Sequence, residues 1–139
     1  HGRDTPFGSL SDSPQDLFEK YMRGRPMNRR EVGGRYEKLA ARELAERGYE
    51  ILALNYRCRQ GEVDIVCRQG GVLVFVEVKY RSTGSFGAPS QAVDSRKQAR
   101  IRHAAVHYMY AHGIAPDTPC RFDVVGILGN QVEIIENAF

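Results

Sequence analysis

The chain of 139 residues contains no tryptophan, only three methionines and only three cysteines. Cys58, Cys67 and Cys120 are an odd set with no C-x-x-C spacing, which argues against a disulfide framework and against a four-cysteine zinc site. They read as small buried thiols. No apolar run approaches the ~18 residues of a membrane span, so no membrane partner is expected. The opening His1-Gly2-Arg3-Asp4 has none of the apolar stretch of a secretory signal, and cytoplasmic residence is the expectation. Lysine is also scarce, since 16 of the 20 basic residues are arginine. Arginine's planar fork pairs with phosphate through two donors, although codon composition is an alternative source of the bias. The net charge of +3 is by itself a weak pointer to nucleic acid.

What is present fits one ordinary domain, with 42% hydrophobic and 27% charged residues. Residues 1–32 are polar, carry Pro6, Pro14 and Pro26, and read as a tail preceding a domain at 33–139. One apolar patch in the tail, Leu17, Phe18, Tyr21 and Met22, has helical spacing after Asp12-Ser13-Pro14 and suits a short docking helix.

From Arg35 to Arg47 strong helix formers place Tyr36, Ala40 and Leu44 on one face, and Gly48 stops the helix. A strand from Tyr49 to Tyr56 follows, then a turn at Gln60-Gly61. In the next strand, Glu62 to Cys67, residues Val63, Ile65 and Cys67 alternate with other neighbours. Gly70-Gly71 turns the chain into Val72–Arg81, where Val72, Val74, Val76 and Val78 share a face. Ser82 to Ser90 is a glycine-containing loop, read as a flexible connection or a lid. A helix carrying Ile101, Ala104, Ala105, Tyr108 and Met109 ends at Gly113, and two strands, Cys120–Leu128 and Gln131–Ile135, close the order αβββαββ. A helix between the third and fourth strands makes those two parallel, which predicts an α/β fold with a mixed sheet flanked by helices.

The chemistry is concentrated on the second and third strands. Glu62 and Asp64 share one side by the period of two, as do Glu77 and Lys79, and the hairpin sets the two strands side by side. Four ionisable groups thus converge on strands otherwise built for the core, where an unpaired charge costs several kcal/mol. Asp64, Glu77 and the Val78 carbonyl would offer hard oxygen ligands of the kind Mg²⁺ or Mn²⁺ prefers. Lys79 is placed to orient or deprotonate a water, or to offset charge on a phosphoryl transition state. Glu37, one turn before Ala40 and Ala41, faces the core side of the first helix and is a third candidate carboxylate. The alternatives are a structural salt bridge of Asp64 or Glu77 with Lys79, and a surface Glu37 paired with Lys38.

Asp64, a twelve-residue spacer and Glu77-Val78-Lys79 resemble the PD-(D/E)xK nuclease signature, and Glu37 is similar to the extra acid of the Holliday junction resolvase branch. The sequence departs from the signature at Val63, where the proline would stand. From Gly34 to Ile135 the chain is identified as a member of the YraN family. The carriers are Gly34-Arg35-Tyr36-Glu37, Asn55-Tyr56-Arg57, Gly61-Glu62-Val63-Asp64, Val74 to Lys79, Phe86-Gly87 and Arg121-Phe122-Asp123-Val124-Val125. The resemblance implies a restriction-endonuclease-like fold and a Mg²⁺- or Mn²⁺-dependent DNA endonuclease or resolvase-like activity. Asp64, Glu77 and Glu37 would be its metal ligands and Lys79 a catalytic partner. The alternatives are a nucleic-acid-binding module on the same scaffold without turnover, and a small interaction protein docking through its tail.

Arg57, Arg59 and Arg81 at strand ends, and Arg96 and Arg100 on the second helix, are candidates for phosphate contacts, and Gln91 for a polar helper near the metal. His103 and His107 are four apart but lack the glutamate of a metalloprotease helix, and read as solvated or phosphate-facing. Asp123 reads as a buried partner of an arginine or a backbone group. No base-reading motif is present, so the expected partner is DNA recognised by structure, possible branches included, rather than by sequence. Symmetric cutting of both strands would suit a homodimer, for which the sequence offers no clear surface.

Overall fold

The computed structural model describes residues 29–81, 93–129 and 131–139. The tail patch at Leu17 to Met22, the loop Ser82 to Ser90 and Gln91 lie outside the described residues. The first helix, α1, spans Arg29–Glu46 and so begins six residues before the expected Arg35. It runs through Gly33 and Gly34, each worth about 1 kcal/mol less than alanine in a helix, because good helix formers stand on both sides of the pair. Its inner face buries Tyr36, Leu39, Ala40, Ala41 and Leu44. The helix closes in a Schellman motif: Tyr49 N–H donates to Leu44 O and Gly48 N–H to Ala45 O, with Gly48 at φ +94°.

Five strands follow around a second helix: β1 (Glu50–Cys58), β2 (Gly61–Gln69), β3 (Val72–Arg81), α2 (Ser95–Ala111), β4 (Cys120–Leu128) and β5 (Gln131–Ile135). They form one mixed sheet in the order β1-β2-β3-β4-β5, with β3 and β4 parallel and the other pairs antiparallel. The parallel pair follows from α2, which returns the chain to the same edge of β3. The mixed sheet flanked by helices is the architecture that the restriction-endonuclease-like resemblance implies.

Each face of the sheet carries its own core. Val74 and Val76, with Val72 and Val78 at the margin, pack with Ile65 and Cys67 against α1. Leu73 and Phe75 pack with Val66, Ile101, Ala104 and Tyr108 on the α2 side. β2 departs here from simple alternation: Val63 joins the α2 side, although Ile65 and Cys67 face α1. The neighbouring strand explains the switch. Leu54 pairs Ile65 and Tyr56 pairs Val63, and between them Asn55 has φ +54°, a left-handed residue that turns the ribbon over opposite Asp64.

Arg121 and Asp123 form a separate buried knot under β4. The Arg121 guanidinium donates to both Asp123 oxygens at 2.9 Å, to Tyr49 Oη at 3.0 Å and to Gln69 Oε1 at 2.8 Å. Asp123 also accepts Asn137 N–H at 2.9 Å, so it has both the arginine and the backbone partner expected of it. The cysteines are less uniform than expected. Cys67 is buried and Cys58 half-buried, but Cys120 is exposed, because it opens β4 outside the core and turns its thiol to Thr118 O at 3.3 Å. Among the described residues no helix is long and apolar enough to cross a membrane.

Candidate active site

The β2–β3 pairing runs from Gln69↔Val72 to Ile65↔Val76 and stops there. One residue further, the Asp64 side chain takes over: its Oδ2 accepts Val78 N–H at 2.8 Å. The two strands therefore part at Asp64 and Glu77, where one carboxylate replaces the ladder. At this ribbon turn Asp64 stands beside Glu37 of α1 and Glu77 of β3.

Three acids meet at this gap. Glu77 is 6% exposed, and its Oε1 is buried without a hydrogen-bond partner among the described residues. Burial first, then the Asp64 charge, pushes its carboxyl up to about 8, against weaker lowering by Lys97 and Lys79. Glu37, half-buried on α1, is pushed up to about 7 by burial and then by the same Asp64 charge. Ionised carboxylates only accept hydrogen bonds, so Glu37 and Glu77 bond to Asp64 only when a proton is held between them. Burial and mutual repulsion thus favour a protonated form of Glu37 and Glu77. This geometry brings together Glu37, Asp64 and Glu77, three residues picked out in the sequence from three different elements.

Lys79 is half-buried on β3, two residues beyond Glu77. A second lysine, Lys97, stands closer to the acids: its Nζ is 3.7 Å from Glu77 Oε2 and 3.7 Å from Glu62 Oε2. The sequence reading missed it. The signal was there, because Lys97 lies on the line of the buried Ile101, Ala104 and Tyr108, four, seven and eleven residues on, whereas Arg96 and Arg100 fall off that line. Asp94 fixes this turn as the N-cap, accepting Lys97 N–H at 2.8 Å. Glu62 also faces Arg57 Nε at 3.8 Å.

The other candidates surround the cluster without joining it. Arg57 is exposed and also donates to Asn55 Oδ1 at 3.3 Å. Arg59 is exposed in the β1–β2 turn, and Arg81 at the end of β3. Arg96 and Arg100 lie exposed on the outer face of α2 with His103, and His107 Nδ1 is hydrogen-bonded to Tyr56 Oη. The β1–β2 turn is pressed against α2 at Gly61, where a Cβ would stand 1.9 Å from Arg100 O, so only glycine fits.

Among the described residues no three acid, imidazole or thiol side chains already stand at the mutual spacing of a metal cage. The donor chemistry nonetheless fits a hard divalent cation: carboxylates from three elements, one with a buried oxygen that lacks a partner among the described residues. Such a cation would take the place of the shared protons.

The fold and this cluster belong to a chain with many close relatives. A "UPF0102 protein" of Lachnoclostridium phytofermentans is 50% identical over 113 residues, covering 81% of this chain and 96% of its own. One of Moorella thermoacetica is 47% identical over 119 residues, covering 81% and 98%. One of Yersinia pseudotuberculosis serotype O:1b is 42% identical over 114 residues, covering 81% and 97%. The model of the uncharacterised protein family UPF0102 matches residues 36–127, from Tyr36 on α1 to Ile127 on β4, and takes in every acid of the cluster. The chain therefore belongs to family UPF0102, the YraN family that its motifs resemble.

Proposed function

We propose that this chain is a metal-dependent phosphodiesterase acting on DNA, an endonuclease or resolvase-like enzyme whose centre is Asp64, Glu77 and Glu37. The observation that carries the reading is Glu77 Oε1, a carboxyl oxygen buried among valines without a hydrogen-bond partner among the described residues, where burial and then the Asp64 charge push the carboxyl up. The Lys97 ion pair reaches only the other oxygen, Oε2, at 3.7 Å and leaves this one without a donor among the described residues. Asp64, Glu77 and Glu37 would hold Mg²⁺ or Mn²⁺. The chemistry supplied at such a site is polarisation of a phosphate oxygen and acidification of a water. Asp64 is fixed by Val78 N–H, so its carboxylate is held in place before any ligand arrives. Lys79 orients the attacking water or offsets charge on the phosphoryl group, and Lys97 balances Glu77 and Glu62 from the other layer. Arg57, Arg59, Arg81, Arg96 and Arg100 position the backbone, with no base-specific readout.

One observation favours a second reading. Lys97 already spans Glu62 and Glu77, so the cluster has some internal neutralisation, as a nucleic-acid-binding module without turnover would need. Cleavage separates the two. Plasmid and branched DNA are incubated with Mg²⁺ or Mn²⁺ and wild type, Asp64→Ala or Lys79→Ala. The phosphodiesterase reading expects cleavage by wild type and its loss in both variants. Equal cleavage by all three rejects the assigned residues, and binding without cleavage by wild type selects the module.

A further inference from the structure

Arg96, Arg100, His103, His107 and Tyr110 recur on α2 at intervals of four, three, four and three residues, which keeps them within about 80° of arc on one line along the helix. All five are exposed. At 1.5 Å per residue the line is about 21 Å long. It starts beside Lys97, which touches the carboxylate cluster, and among the described residues neither Arg96 nor Arg100 is engaged in an ion pair. It ends on Tyr110, 87% exposed, next to Val106, 68% exposed.

Tyr110 and Val106 form a ridge between two hollows. One, of about 460 Å³, is completed by Met109, Ile114 and Pro116. The other, of about 450 Å³, is completed by Gln60, His103 and His107. An aromatic ring held in water between two shallow hollows, at the end of a line that opens on two arginines, matches a ligand with both negative charge and flat apolar faces. Double-stranded nucleic acid offers the charge but hides its base faces. A second copy of this chain would set arginine stripes against each other, which like charges oppose.

We propose that the outer face of α2 is a track for single-stranded nucleic acid, with phosphates on Arg96 and Arg100 and an unpaired base stacked on Tyr110. The track leads toward the carboxylate cluster, and in that respect alone it rests on the phosphodiesterase reading. Its length accommodates about six nucleotides at the ~3.4 Å per nucleotide of a stacked strand. The substrate class is then DNA with an unpaired segment, such as a flap or an open junction.

The test is fluorescence anisotropy in EDTA, with a labelled 12-nucleotide oligothymidine and a labelled 12-base-pair blunt duplex. Wild type is expected to bind the oligothymidine more tightly. Tyr110→Ala weakens that binding about 5- to 30-fold, whereas Tyr110→Phe, which keeps the ring, preserves it. The double change Arg96→Ala and Arg100→Ala reduces the log–log salt slope by about 1.4. Tyr110→Ala binding like wild type, a duplex bound as tightly as the single strand, or no binding to either overturns the proposal. Addition of Mg²⁺ then separates the two ideas. Tyr110-dependent binding without cleavage keeps the track and rejects the phosphodiesterase, whereas cleavage without that dependence rejects the track alone.

Discussion

Glu77→Gln removes one charge from the gap while keeping the side chain's shape, and its effect on stability is fixed in sign by the folded environment. The carboxyl is pushed up to about 8 from an ordinary value near 4.5, chiefly by burial and then by Asp64. A raised carboxyl contributes its stability fully below pH ~4.5 and loses it as pH rises toward 8, because the unfolded chain ionises first. Between pH 5 and pH 8 that loss is of the order of 4 kcal/mol for this group, at 1.36 kcal/mol per unit. Glutamine has nothing to ionise and escapes it. Urea unfolding in EDTA at both pH values measures the difference. Wild type is expected to lose midpoint stability on going to pH 8, with Glu77→Gln falling less and ending above wild type. Mn²⁺ at pH 8 should restore wild type and leave the variant unchanged. If Glu77→Gln is the less stable protein at pH 8 in EDTA, the ionised carboxylate is satisfied within the fold and the reasoning fails.

Other consequences follow from packing and from the second polar knot. Gly61→Ala forces a Cβ into Arg100 O and must push the β1–β2 turn off α2, at a cost of about 1–3 kcal/mol in chemical unfolding. An alanine variant as stable as wild type would show that the turn does not approach the helix that closely. Arg121→Ala strands Asp123, which is 0% exposed, and is expected to cost about 3–5 kcal/mol. Adding Asp123→Ala should recover part of that loss, and a double variant no better than the single one would place the energy elsewhere. Tyr56→Phe removes the bond to His107 and should cost about 0.5–1.5 kcal/mol by the same assay, and no change would mean that the bond carries no net energy.

Much of the scaffold was written in local pattern. β3, β4 and β5 have the expected limits because their β-branched alternation is bounded by Gly70-Gly71, Pro119 and Gly129, which leave few other places to turn. The parallel pairing of β3 with β4 follows from the intervening helix. Glu37, Asp64 and Glu77 could be placed near one another because helix and strand periods assign faces without any knowledge of tertiary contacts. The left-handed Asn55 was not legible, since asparagine in a strand pattern does not announce a positive φ, and with it the transfer of Val63 to the other core was missed. The Tyr49–Arg121–Asp123 knot joins residues more than 70 apart, a distance over which no periodicity speaks. Lys97 is a different case: its place on the line of Ile101, Ala104 and Tyr108 was readable, although it stands in a basic run with the outward Arg96 and Arg100.

The claim that matters most is that the Glu37–Asp64–Glu77 gap exchanges its protons for a divalent cation. Isothermal titration of Mn²⁺ at pH 7, repeated in two buffers of different ionisation enthalpy, measures both binding and the protons released. With the carboxyls raised to about 8 and about 7, the cluster holds protons at pH 7 that an ionised ligand set must give up, so binding should release on the order of one proton. Asp64→Ala should abolish the saturable heat. Absence of Mn²⁺ binding by wild type, or binding without proton release, would contradict the account.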